Sequence, residues 1–300
     1  MTTRITPPHE YAEIAGDVRR QLVQYAAADG FPLTGILHRP PRIDPPVAIL
    51  AMHPRGDFTR HYLAPWLLEA GYAFFGAQTR HLNHDADALH ERLLLDVAGA
   101  IAYLRDAGFA SVILLGNSGG GSLFAFYIAQ QSQAPAARLT HAPSGDASGL
   151  AGVDLPPVQG LVLLAAHLGE GRFLLDRLDP SVIDEGDPTA ANPRLDMYDP
   201  ANGYRPMREG PSRYSAEFLA AFREGQRARC ERLDRQALSW GEEAAFFRRR
   251  LGLPDDLATA TPAERMLVTR RALQRRYLLI YRTLADPRYL DPTIDPSARP

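Results

Sequence analysis

Between residues 19 and 167, short apolar runs alternate with longer segments of helical periodicity, and this alternation restricts the chain to few folds. RRQLVQYAA (19–27) and FPLTGILHRP (31–40) read as two strands joined by the turn ADG. PPVAILAMHP (45–54) is an apolar run bounded by proline, the pattern of a buried strand. FTRHYLAPWLLEAGY (58–72) predicts a helix ending near Gly71, and AFFGAQTR (73–80) the next strand. HERLLLDVAGAIAYLRDAG (90–108) predicts a helix with Leu94, Val97, Ile101 and Leu104 on one face and Gly108 as its stop. SVILLG (111–116), a helix from about Gly120 to Gln131, and VQGLVLLAAH (158–167) complete the series. Strands separated by helices pair in parallel and are covered on both faces. The first two strands are close enough to form a hairpin, so the expected fold is α/β with a mostly parallel, mixed sheet.

After His167 the pattern changes. Residues 171–211 are rich in Asp, Pro and Gly and predict an irregular connection. Residues 212–290 predict an all-helical segment: one helix over SAEFLAAFREGQRARCERLDRQALSW, a second over GEEAAFFRRRLG, and a third over 261–286. Thr261, Pro262 and Glu264 form a capping box at the start of the third. Arg227, Arg229, Arg232 and Arg235 alternate with acidic residues, which predicts a solvated helical face. Residues 291–300 read as an irregular tail. The expected organisation is therefore a core over 1–170, the connection, the helical segment and the tail.

Composition removes several functions. The chain has no lysine, so all 33 basic residues are arginine. That excludes a Schiff-base lysine, a P-loop or kinase lysine and a serine–lysine dyad. A formal net charge of −2 suggests no general affinity for nucleic acid or an anionic membrane. No apolar run approaches the roughly 20 residues of a spanning helix, and MTTRITPPHEYAEIAGDV lacks the apolar centre of a secretory signal. Cys230 is the single cysteine, so neither an intrachain disulfide nor a thiolate metal cage is expected. Cytoplasmic residence follows as the default expectation, with no cofactor implied.

Gly116-Asn117-Ser118-Gly119-Gly120 lies between an apolar strand and a helix. A serine on a sharp strand-to-helix turn projects its hydroxyl from the top of a sheet. Such a turn brings the residues two before and two after it close together, which suits Gly116 and Gly120. The N–H groups opening the helix favour developing negative charge. Two other readings remain at this point. One is a glycine-rich turn that only packs helix on strand. The other is a phosphate loop, which the glycine spacing and the absence of lysine oppose.

With the loop MHPRGDF (52–58) after the third strand, these residues resemble the α/β-hydrolase superfamily over roughly residues 18–170. The resemblance implies that Ser118 is a nucleophile and that Gly119 supplies one oxyanion donor. The second donor is expected from the 52–58 loop. Pro54 has no N–H, so Arg55 and then Gly56 are the candidates. His53 is implied to be a loop-shaping or pocket residue rather than the base.

The family order is Ser, then Asp or Glu, then His. Here the last histidine is His167, and no strand-like run follows it. The strands that would carry the acid and the histidine are thus expected to be missing. His167 is the internal substitute base, with Glu170 and Asp176 just beyond. His81, His84, Asp85, Asp87 and His90 cluster after the fourth strand, but their spacing does not match a metallo-hydrolase, so no metal is assigned. His81 and His84 are pocket candidates. The resemblance implies a hydrolase of small esters or related acyl compounds, with residues 212–290 as a helical lid. An inactive, truncated hydrolase, a binding protein that keeps the pocket, and a metal-dependent hydrolase remain as alternatives.

Overall fold

A computed structural model describes Ile14 and residues 16–250, apart from 84–87, 144–145, 186 and 188–189. His84, the helix expected over 261–286 and the tail lie outside the described residues. The chain divides into two compact units, Met1–Glu170 and Gly171–Pro300.

The first unit holds a six-stranded sheet in the order β1-β2-β4-β3-β5-β6. The strands are β1 (Arg19–Ala26), β2 (Pro32–Arg39), β3 (Val47–Ala51), β4 (Ala73–Ala77), β5 (Ser111–Asn117) and β6 (Gly160–Leu164). β1 and β2 form the expected hairpin, and β2 also runs antiparallel to β4. The pairs β3–β4, β3–β5 and β5–β6 are parallel. The mixed α/β architecture expected from the alternation is the one observed. β4 is buried along its whole length, which explains why its sequence is continuously apolar rather than alternating.

Three helices cover this sheet: α1 (Ala64–Glu69), α2 (His90–Asp106) and α3 (Gly119–Gln131). α1 contributes Ala64 and Leu68 to a cluster with Ile49, Ala51, Phe74 and Leu115. On the other face, Leu93, Leu94, Val97, Ile101 and Leu104 of α2 and Leu123, Phe124 and Tyr127 of α3 pack with Leu37, Leu50, Phe75 and Leu114. All four α2 residues expected on the buried face are fully buried. α1 is much shorter than the helix expected over 58–72. Pro65 stands at its start, and a proline is tolerated only in the first turn, so residues 58–63 remain a loop.

The chain leaves β3 towards β4 on one side and returns to β5 on the other. The sheet order therefore reverses between β3 and β5. In open α/β sheets the crevice beyond the carboxyl ends of strands at such a reversal is where ligands bind. The two loops bordering it here are 52–58, after β3, and the Ser118 turn, after β5.

β6 is an edge strand among the described residues, with Val162 and Leu163 exposed. In the second unit, the stretch expected to be irregular begins with helix α4 (Glu170–Arg177) and continues through short 3-10 turns. The two helices expected over 215–252 are one, α5 (Ala216–Arg250). Gly241 costs a helix about 1 kcal/mol relative to alanine, which is not enough by itself to end one. The expectation of a solvated arginine face fails at Arg229, which is fully buried. Its guanidinium makes a bidentate pair with Glu185 at 2.9 and 2.8 Å and donates to the Asp179 carbonyl at 2.6 Å. No described helix is long and apolar enough to cross a membrane.

Candidate active site

Ser118 links β5 to α3 with φ 53° and ψ −123°. A non-glycine residue at positive φ is strained by about 1–3 kcal/mol and persists only where its surroundings enforce it. Here they do. A Cβ on Gly116 would stand 2.6 Å from the Cα of Gly121, and one on Gly120 would collide with the Met52 carbonyl. Both elbow glycines are thus needed by close backbone approach. Gly121, which the sequence reading passed over, is needed as well, because a Cβ there would strike Ala166.

β6 holds the elbow from the other side. The Leu164 carbonyl accepts from the Ser118 N–H at 3.1 Å and from Asn117 Nδ2 at 2.9 Å. Asn117 Oδ1 in turn lies 3.2 Å from His61 Nε2. The Leu63 N–H donates to His61 Nδ1 at 3.2 Å. An imidazole that accepts at Nδ1 carries its hydrogen on Nε2, so His61 donates to Asn117. His61 is buried, and desolvation holds its pKa below the ordinary imidazole range, against the raising effect of the Asn117 bond. It braces Asn117, the residue before Ser118, and no sequence signal marked it. Its partner is 56 residues away, so no local periodicity could reveal the pair.

Gly119 opens α3, and the first N–H groups of a helix have no carbonyl one turn back. Its N–H therefore has no intrahelical acceptor. Two imidazoles border this glycine. A Cβ on Gly119 would lie 2.9 Å from His53 Nε2 and 3.3 Å from His167 Nε2. Ser118, Gly119, His53 and His167 are thus gathered at the end of the sheet.

The 52–58 loop departs from expectation in how its N–H groups are used. Gly56 N–H donates to His53 Nδ1 at 2.8 Å, and Arg55 N–H to the same atom at 3.2 Å. The two main-chain donors named as oxyanion candidates both point at the His53 ring. The reason is local: a histidine three residues before a glycine closes a tight turn on its own side chain. The loop is fastened elsewhere too. Thr79 Oγ1 donates to the Pro54 carbonyl at 2.8 Å, and Asn83 N–H to the Arg55 carbonyl at 2.9 Å. The turn containing His81 is joined to the loop through that last bond.

This turn is itself clamped. Arg80 donates through its main-chain N–H and Nε to the fully buried Asp96 of α2, at 2.9 and 2.8 Å. It also makes two 2.8 Å hydrogen bonds to Asp29 in the β1–β2 turn. The Arg80 bond holds the Asp29 carboxyl below the usual carboxylate range.

His167 Nδ1 accepts from the Gly169 N–H at 3.1 Å. In this tautomer its Nε2 is also a donor rather than a proton acceptor. Asp176, an acid considered near it in sequence, pairs with Arg172 at 3.1 Å. Among the described residues, no group of three or more His, Cys, Asp or Glu could hold a metal ion.

No protein-family model and no curated protein matches the chain. Similar solved structures include brefeldin A esterase, a bacterial homologue of human hormone-sensitive lipase, at 18% identity and TM-score 0.32. That match covers 40% of this chain and 36% of the other. A Pyrococcus furiosus esterase matches at 17% identity and TM-score 0.32, over 42% of this chain and 52% of its own. An acylaminoacyl peptidase from Pyrococcus horikoshii matches at 18% identity and TM-score 0.33, over 39% and 21%. In each case the match spans well under two thirds of the other protein. On its own strand order and its strand–serine–helix turn, the first unit has an α/β-hydrolase-like core.

Proposed function

We propose that this chain is a serine hydrolase that cleaves an ester or related acyl substrate through an acyl-enzyme on Ser118. The observation that carries the reading is the strained Ser118 backbone at the mouth of the β3–β5 reversal, with the Gly119 N–H beside it. Strain of this kind persists at functional turns because it aims a side chain.

In the forward step, Ser118 Oγ bonds to the carbonyl carbon and the carbonyl π pair moves onto oxygen. The serine proton passes to a base and then to the departing alkoxide when the tetrahedral adduct collapses. Water repeats the sequence on the acyl-enzyme, releasing the acid and restoring the serine. Gly119 N–H stabilises the oxyanion in both halves. Of the two imidazoles at the elbow, His53 is fixed as a donor by two N–H groups and His167 by one. His167 is therefore the one that could exchange tautomer and accept the proton, by giving up the Gly169 contact.

A second reading is favoured by that same contact. With both rings presenting N–H, the site suits binding of a carbonyl or carboxylate without turnover. A fluorophosphonate probe separates the two. Hydrolysis predicts stoichiometric labelling that Ser118→Ala abolishes. A folded wild-type protein that stays unlabelled would leave only the binding reading. Losing the serine or histidine of a working triad costs on the order of 10⁶ in turnover, so the outcomes are far apart.

A further inference from the structure

The 52–58 loop was expected to offer a main-chain N–H to the oxyanion, yet the N–H groups of Arg55 and Gly56 both donate to His53 Nδ1. A neutral imidazole has one donor and one acceptor nitrogen. Two donors converging on Nδ1 fix the hydrogen on Nε2. That nitrogen stands 2.9 Å from the point where a Cβ on Gly119 would be, beside the residue that follows the nucleophile. The ring and its loop are both held. Phe58 packs against it at a centroid distance of 5.0 Å, Gly56 leaves only 3.1 Å between its would-be Cβ and Nδ1, and Thr79 ties down the Pro54 carbonyl. A preorganised N–H donor at the site of developing charge is what stabilises an acyl-transfer transition state.

We propose that the Nε2–H of His53, and not a main-chain N–H of residues 54–56, is the second oxyanion donor, opposite the Gly119 N–H. The loop's hydrogen bonds reach the substrate through the imidazole: they set its tautomer, and its far nitrogen touches the carbonyl oxygen. This makes His53 a catalytic residue by contact, and the assignment rests on the Ser118 acyl-transfer reading.

Two amide substitutions divide the ring's two jobs. His53→Asn keeps an acceptor near the Nδ1 position and loses the far donor. His53→Gln places an N–H near the Nε2 position. The assay is hydrolysis of a p-nitrophenyl ester, with fluorophosphonate labelling of Ser118 and a thermal melt of each variant. His53→Asn should melt near wild type, keep its KM, and lose about 10²–10³-fold in kcat, the usual loss for one oxyanion donor. His53→Gln should recover a substantial part of that loss.

Equal rates for wild type and His53→Asn, in a protein labelled at Ser118, would overturn the donor assignment alone. A wild-type protein that is neither labelled nor active would overturn the Ser118 reading and this assignment with it. The tautomer has its own test, independent of turnover and of any variant. Long-range ¹H–¹⁵N spectra of the wild-type protein should show His53 protonated at Nε2, and a hydrogen on Nδ1 would sink the assignment.

Discussion

Asp96 and Arg229 are both fully buried charges, one in each unit. Asp96 joins Arg80 and Asp29 beside an extensive apolar core that includes Leu50, Phe75, Ile101 and Phe124. What it secures is the turn after β4, and through Asn83 the loop that orients His53. Arg229 joins Glu185 and the Asp179 carbonyl in a unit where, among the described residues, the apolar cluster consists of Met197, Phe218 and Phe222. There the ion pair, with Gln226 and Arg232 donating to the Leu178 and Val182 carbonyls at 2.9 Å each, fastens the 178–185 segment to α5. The same chemistry positions a loop in one unit and supplies tertiary structure in the other.

The largest expected effect is on stability. Arg229→Ala removes the buried partner of Glu185, leaves it Arg232 at 3.6 Å and frees the Asp179 carbonyl, and should cost about 2–3 kcal/mol, read as a shift of the second unit's unfolding transition. Replacing both members of a buried pair with apolar residues is often neutral or better. Arg229→Met with Glu185→Leu should therefore recover most of the loss. A double variant as unstable as the single one would mean that the pair does more than fasten chain to helix.

The corresponding change in the first unit separates stability from function. Arg80→Met with Asp96→Leu should fold, for the same reason, yet slow Ser118 labelling by roughly 10-fold or more, since small misplacements of catalytic groups are costly. Unchanged labelling would show that the loop is held without the clamp and would erase the contrast between the two networks.

The smallest effect distinguishes the units by pH. His38 and His61 are buried, and desolvation lowers the pKa of each in the folded state. Below about pH 6.5 the unfolded chain binds protons that these two sites refuse, so stability falls as pH drops through that value towards the lower folded ones. The second unit, from residue 171 onward, has no histidine. Melts between pH 5 and 8 should shift the first unit's transition only, and His61→Gln should flatten part of that dependence. A first-unit transition insensitive to pH would contradict the buried neutral imidazoles.

Much of the fold was readable because its signals are short-range. The periodicity of Leu94, Val97, Ile101 and Leu104 and the glycines on either side of Ser118 depend on neighbours within a turn or two. The merging of two expected helices into α5 and the late start of α1 at Ala64 were less visible. A glycine or a proline changes helix stability without dictating where the chain turns. His61 could not be found at all from the sequence, because its role depends on Asn117, far along the chain.

Sequence alone determined the alternating architecture, the place of the Ser118 turn, and the exclusion of every lysine-dependent chemistry. Tertiary structure alone decided that His61 reaches Asn117, that His53 and His167 meet at Gly119, and that Arg229 is buried among seemingly equivalent arginines. The physical reason is range. Backbone preference and hydrophobic periodicity act over a few residues, whereas a buried ion pair or a bond such as His61 to Asn117 is set by donors and acceptors that only the folded chain brings within 3 Å or so of each other.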